Sequence, residues 1–180
     1  MKTCLHGCAS LLLLIALDVL PLSAQEKTAP PTATTTGPCS VKAEYKQFDF
    51  WVGEWDVTDK EKKVATSSIQ RIVDGCIVFE NYFQLDGYTG KSFNFFDAAL
   101  KKWRQTWVDR SGNVSEFVGE YKEGALRFEG ESHRNDGSKV LRRMTIFDQG
   151  PERVRQYSER SVDGGKTWSV TYDFIYVRKK

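Results

Sequence analysis

The sequence predicts an all-β fold class: an antiparallel, up-and-down barrel of about ten strands preceded by a short helix. Three observations carry that expectation. Turn signals recur at short intervals: Asp74-Gly75, Leu85-Asp86-Gly87, Ser111-Gly112-Asn113, Glu123-Gly124, Asn135-Asp136-Gly137, Gln149-Gly150-Pro151 and Asp163-Gly164-Gly165. The segments between them are rich in aromatic and β-branched residues, which suit a pleated, half-buried surface. After Trp51 no stretch keeps a helical period, and no connection is long enough to cross between parallel strands. A run of about ten sequential strands curls, and closing it removes the exposed edges. A two-sheet sandwich is the rival arrangement.

The elements follow in order. Lys2, an apolar run from Leu11 to Leu17, and the small-residue stretch Pro21-Leu22-Ser23-Ala24 form the pattern of a secretory signal peptide over residues 1–24, cleaved after Ala24. The apolar run is too short for a bilayer span of about 20 residues. It also follows Cys8 instead of preceding it, which argues against a lipid anchor there. A secreted or periplasmic location is expected, with no stable membrane insertion after cleavage. Residues 25–38, rich in Thr, Pro and Ala, read as a disordered linker, and the barrel domain is expected over 39–178. Within it Ala43–Trp51 is expected to form one short helix, because Tyr45, Phe48 and Trp51 recur three apart and share a face. Strands are expected near Trp55–Asp59, Ala65–Val73, Cys76–Leu85, Gly90–Asp97, Lys102–Asp109, Val114–Tyr121, Ala125–Ser132, Val140–Phe147, Arg153–Arg160 and Thr167–Val177.

Charge and cysteine usage narrow the function classes. The net charge is +2, and losing Lys2 and Asp18 with the leader would leave it unchanged. Nucleic-acid binders usually carry a strong basic excess, so no nucleic-acid partner is expected. Of four cysteines, Cys39 and Cys76 remain after cleavage. In an oxidising compartment they read as one disulfide, the alternative being two separate buried thiols.

Alternation assigns faces. Trp103, Gln105 and Trp107 share one face of their strand; Trp168, Val170, Tyr172, Phe174 and Tyr176 share one face of the last. Both faces are expected to point inward. The strand Cys76–Leu85 stays undecided, since Ile77, Phe79 and Phe83 oppose Val78, Glu80 and Tyr82. Between two inward tryptophans the Gln105 amide needs a partner, which is either another core group or a ligand. If Glu80 faces inward, it sits among aromatics with a raised pKa unless a cation such as Arg155 or Arg142 answers it. The basic positions Arg142, Arg143, Arg153 and Arg155, interleaved with Glu152 and Glu159, read as a solvated face with cross-strand pairs.

Other motifs are turn devices or are set aside by counting. Ser161-Val162-Asp163-Gly164-Gly165-Lys166-Thr167-Trp168 fits an Asp-box hairpin, in which the aspartate caps turn amides and the tryptophan packs beneath. It occurs once, and a propeller needs several such blades. His133 is the one histidine outside the leader, so neither a histidine-rich zinc site nor a Ser-His-Asp triad is expected. No phosphate-cradling glycine loop or calcium loop occurs. The reading assigns no metal and no cofactor.

As a set, FDFWVGEW (48–55), Asp74-Gly75-Cys76 followed by Phe79-Glu80-Asn81, WRQTWVDRSG (103–112) and SVDGGKTW (161–168) resemble a family of secreted bacterial lipocalin-like proteins known as a domain of unknown function. The resemblance covers most of Cys39 to Arg178 and implies a calycin-type barrel. It makes Trp55, in Gly53-Glu54-Trp55, a structural plug across the closed end, and it places any pocket toward the opposite end. It offers no assigned reaction. A haem site would need an axial histidine, and His133 is a poor match.

The expected function is binding of a small, largely apolar molecule inside the barrel, with Glu80, Trp103, Gln105, Trp107, Arg155 and Tyr172 as candidate ligand contacts and no catalytic residue assigned. One alternative is an enzyme using Glu80 as acid/base with Gln105 or Tyr172 polarising the substrate. The other is a packed barrel acting through its surface, with a filled interior and an exposed apolar patch.

Overall fold

The computed structural model describes residues 37–134 and 136–180. The leader expected over 1–24 and most of the linker lie outside the described residues; Pro38, at the linker's end, already opens a helix. The domain is a closed barrel of ten antiparallel strands in simple up-and-down order. They are β1 Gly53–Asp59, β2 Lys62–Ile72, β3 Ile77–Gln84, β4 Thr89–Asp97, β5 Lys102–Asp109, β6 Val114–Lys122, β7 Ala125–His133, β8 Lys139–Asp148, β9 Arg153–Ser161 and β10 Ser169–Arg178. Pairing of β1 with β10, from Trp55 opposite Arg178 to Asp59 opposite Phe174, closes the sheet. Closure leaves no free edge, which decides against the sandwich.

The N-terminal segment corrects one expectation. Ala43–Trp51 is not a single helix. Two four-residue turns, α1 Pro38–Val41 and α2 Ala43–Lys46, are separated by Lys42 in an extended conformation, and a 3-10 turn follows at Asp49–Trp51. The tighter turn has a reason. Side chains three apart eclipse in a 3-10 helix, so Phe48 and Trp51 stack at 4.9 Å and enter the barrel end together. Trp55 joins them from β1, its Nε1 donating to the Trp51 carbonyl at 2.8 Å. All three are fully buried. Trp103 and Tyr176 meet this cluster edge-on at 5.4 and 5.7 Å.

Two ties hold the plug in place. The Cys39–Cys76 disulfide joins α1 to the β2–β3 turn. Arg71, on β2, reaches the Asp49 carboxylate and the carbonyls of Tyr45 and Gly75. Among the described residues no helix is long and apolar enough to cross a membrane.

The last strand corrects a second expectation. A bulge lies between Val170 and Tyr172, so Val170 opposes Glu159 while Tyr172 opposes Ser158. The extra residue, Thr171, reverses the alternation. Trp168 and Val170 therefore face outward, and Trp168 lies under the Arg143 guanidinium at 3.9 Å. Tyr172, Phe174 and Tyr176 face inward.

Candidate functional site

Up-and-down order sends alternate hairpins to opposite ends. The β2–β3, β4–β5, β6–β7 and β8–β9 turns surround the plug. The other end, bounded by the β3–β4, β5–β6 and β7–β8 loops, opens into an interior cavity of about 750 Å³. The barrel is therefore not packed solid.

The floor of the cavity is polar and internally bonded. Glu80, on β3, faces inward at 2 % exposure. The undecided alternation of that strand resolves this way because Glu80 pairs with Ile69 on β2 and Ser92 on β4, both buried. Phe79 and Phe83 consequently face outward, Phe79 packing on Phe93 at 5.1 Å. Ser67 and Ser92 donate to the two carboxyl oxygens of Glu80 at 2.9 and 3.0 Å. Tyr176 lies 3.2 Å from Glu80 Oε1 and 2.8 Å from Gln156 Oε1. The Tyr176 hydroxyl is thus shared between two acceptors, Glu80 and Gln156. Burial pushes the Glu80 carboxyl up to about 7, against the pull of its three hydroxyl partners.

Gln105 connects to the same network. Its Nε2 donates to Asn94 Oδ1 at 2.6 Å, Asn94 Nδ2 donates to Ser92 Oγ at 2.9 Å, and Ser92 donates to Glu80. The Gln105 amide thus has its core partner while also bordering the cavity.

Above the floor the wall is aromatic: Tyr82, Trp107, Phe117, Tyr172 and Phe174. Tyr172 and Phe174 stack at 4.7 Å. Burial raises the Tyr172 phenol to about 12, which keeps it a neutral hydrogen-bonding group. Trp107 lies flat against β4 because residue 90 is glycine: a Cβ there would sit 2.2 Å from the indole ring. The rim carries His133, Arg134, Arg142, Arg160, Asp109 and Asp136.

Of the six candidate contacts, Glu80, Gln105, Trp107 and Tyr172 line one cavity. Trp103 lies beneath it, within the plug, its Nε1 donating to Gln47 Oε1 at 3.0 Å. Arg155 is a correction: it sits on the outer face, with Nε and Nη2 donating to Asp173 at 2.7 and 2.9 Å. Alternation explains this, because Val154 and Gln156 take the inward positions beside it. No cation pairs with Glu80 among the described residues. Further inward residues lie outside the expected set. Arg142 shares its face with Val140, Met144 and Ile146, all buried; that alternation was available in the sequence and places one member of the basic run inside. Gln156 and Ser158 follow Val154 in the same way.

Among the described residues no group of three or more His, Cys, Asp or Glu is arranged to hold a metal ion. No family model matches the chain, and no curated protein is significantly similar to it.

Proposed function

We propose that this barrel is a secreted or periplasmic, lipocalin-like carrier that binds one small organic molecule in its interior. The single observation behind this reading is the cavity of about 750 Å³, open at one end and closed at the other by a tightly packed plug. Ligand sites are concave, mostly apolar and provided with a few placed polar groups. Aromatic walls over the Glu80–Gln105–Gln156 floor have that make-up. The polar floor revises the expected ligand from largely apolar to amphipathic. The Cys39–Cys76 disulfide supports an extracytoplasmic compartment.

The test is native mass spectrometry of protein purified from its own compartment, together with titration by the neutral dye N-phenyl-1-naphthylamine. One small molecule per chain and saturable dye binding are expected. Ser158→Phe, which fills the cavity from its wall, should abolish both while the fold melts as before. Dye binding that persists in the filled variant would place the site elsewhere.

Glu80 favours a second reading. A carboxyl poised near pH 7 on a cavity floor can exchange protons with a bound substrate. Comparing wild type with Glu80→Gln separates the two: a carrier retains the same molecule in both, whereas an enzyme retains unreacted substrate only in the variant.

A further inference from the structure

Arg142 and Arg160 are directly opposed across β8 and β9, and both line the rim of the cavity. Like charges directly opposite on a sheet repel. On the outer face of the barrel other arginines pair with carboxylates: Arg104 with Asp97, Arg127 with Glu123, Arg143 with Glu129 and Arg155 with Asp173. The two inward arginines have no such answer among the described residues. Arg142 is half-buried and uses only its Nε internally, donating to Ser132 Oγ at 2.9 Å.

The rim's acids are committed elsewhere. Asp109 accepts from the amides of Ser111 and Asn113 at 2.8 and 3.1 Å, and Asp136 accepts from the Ser138 amide at 2.8 Å. These bonds hold the loops in shape and point the carboxylates at their own turns. At the mouth Arg134, Arg142 and Arg160 outnumber Asp109 and Asp136, while the floor presents hydroxyl and amide groups around a Glu80 carboxyl that burial drives toward its neutral form. A molecule that complements the whole cavity has its charge at the mouth end and its neutral part below.

Resting on the reading of the cavity as a binding site, we propose that the ligand is an organic anion: an aromatic or alkyl body against Trp107 and Tyr172, with its acidic head seated on Arg142 and Arg160. Guanidinium groups suit this role because their paired N–H donors match the geometry of a carboxylate or phosphate. The half-buried position strengthens the pairing relative to an exposed one. The same arrangement disfavours a cationic amphiphile.

A matched pair of dyes tests this. 1-Anilinonaphthalene-8-sulfonate has the skeleton of N-phenyl-1-naphthylamine with one added sulfonate, so the ratio of their affinities isolates the anion. Wild type is expected to favour the sulfonate by about tenfold or more at low salt, and Arg142→Gln/Arg160→Gln to bring the ratio to within about twofold of one. Arg160→Gln alone, at a more exposed position, should lower the ratio part of the way and serves if the double variant folds poorly. Equal affinities in wild type, or a preference that survives both substitutions, would overturn the anion assignment while leaving interior binding intact. If neither dye binds wild type, the interior-binding reading falls, and this one with it.

Discussion

Between pH 4.5 and about 7 the folded barrel keeps a proton on Glu80 that the unfolded chain has already released. The folded pKa is raised, so this residue's burial is best tolerated below pH 4.5. Stability then falls as pH rises through that window and levels off above it, by roughly 3 kcal/mol in total. Glu80→Gln removes the titration. Urea midpoints measured from pH 4.5 to 8 should therefore decline less steeply in the variant than in wild type. Parallel curves would mean that Glu80 is charged throughout. The sequence left this residue undecided for a physical reason. Both faces of β3 are apolar enough to be buried, and the choice is made by register with Ile69 and Ser92 on the neighbouring strands. The inward position of Arg142 is legible in the sequence, since its strand alternates cleanly once Met144 and Ile146 are taken as core.

At the scale of elements, the plug concentrates the stability. Trp55→Ala should lower the unfolding free energy by about 3–5 kcal/mol, as for other buried aromatic truncations. Its bond to the Trp51 carbonyl and the Arg178 guanidinium 4.2 Å above its ring both go with it. Dye affinity, measured under conditions where the variant is still folded, should be nearly unchanged, because Trp55 does not reach the cavity. Cys76→Ser should cost about 4 kcal/mol for a loop of 37 residues on the chain-entropy account, read as a shift in denaturant midpoint. Most strands were legible to within a few residues, because turn chemistry and alternation are local. The bulge at Thr171 was not. An extra residue leaves composition and period almost untouched on either side, yet it turns Trp168 and Val170 outward.

At the scale of the whole molecule, the packed plug and the open cavity occupy opposite ends of one closed sheet. Every connection among the ten strands is a hairpin, so each strand runs from plug to mouth and carries core residues at one end and lining residues at the other. Trp103, Gln105 and Trp107 show the gradient on a single strand: plug, floor and wall. Strand number, antiparallel order and closure could be argued from the sequence. Whether the interior was filled could not, because the lumen depends on strand tilt, stagger and which inward side chains lie flat.

Gly90 sets how much of that lumen is available. Trp107 rests against the backbone there, and a single methyl group would need the space its ring occupies. Gly90→Ala should swing the indole toward the axis and shrink the chamber while the β4–β5 pairing persists. The variant should admit only slimmer molecules, which a series of naphthalene- and benzene-sized competitors against the neutral dye would reveal as a size cut-off. The girth of the cavity is thus set by a residue with no side chain, through the posture of its neighbour, so the position most open to reshaping the chamber is one that an inventory of contacts would overlook.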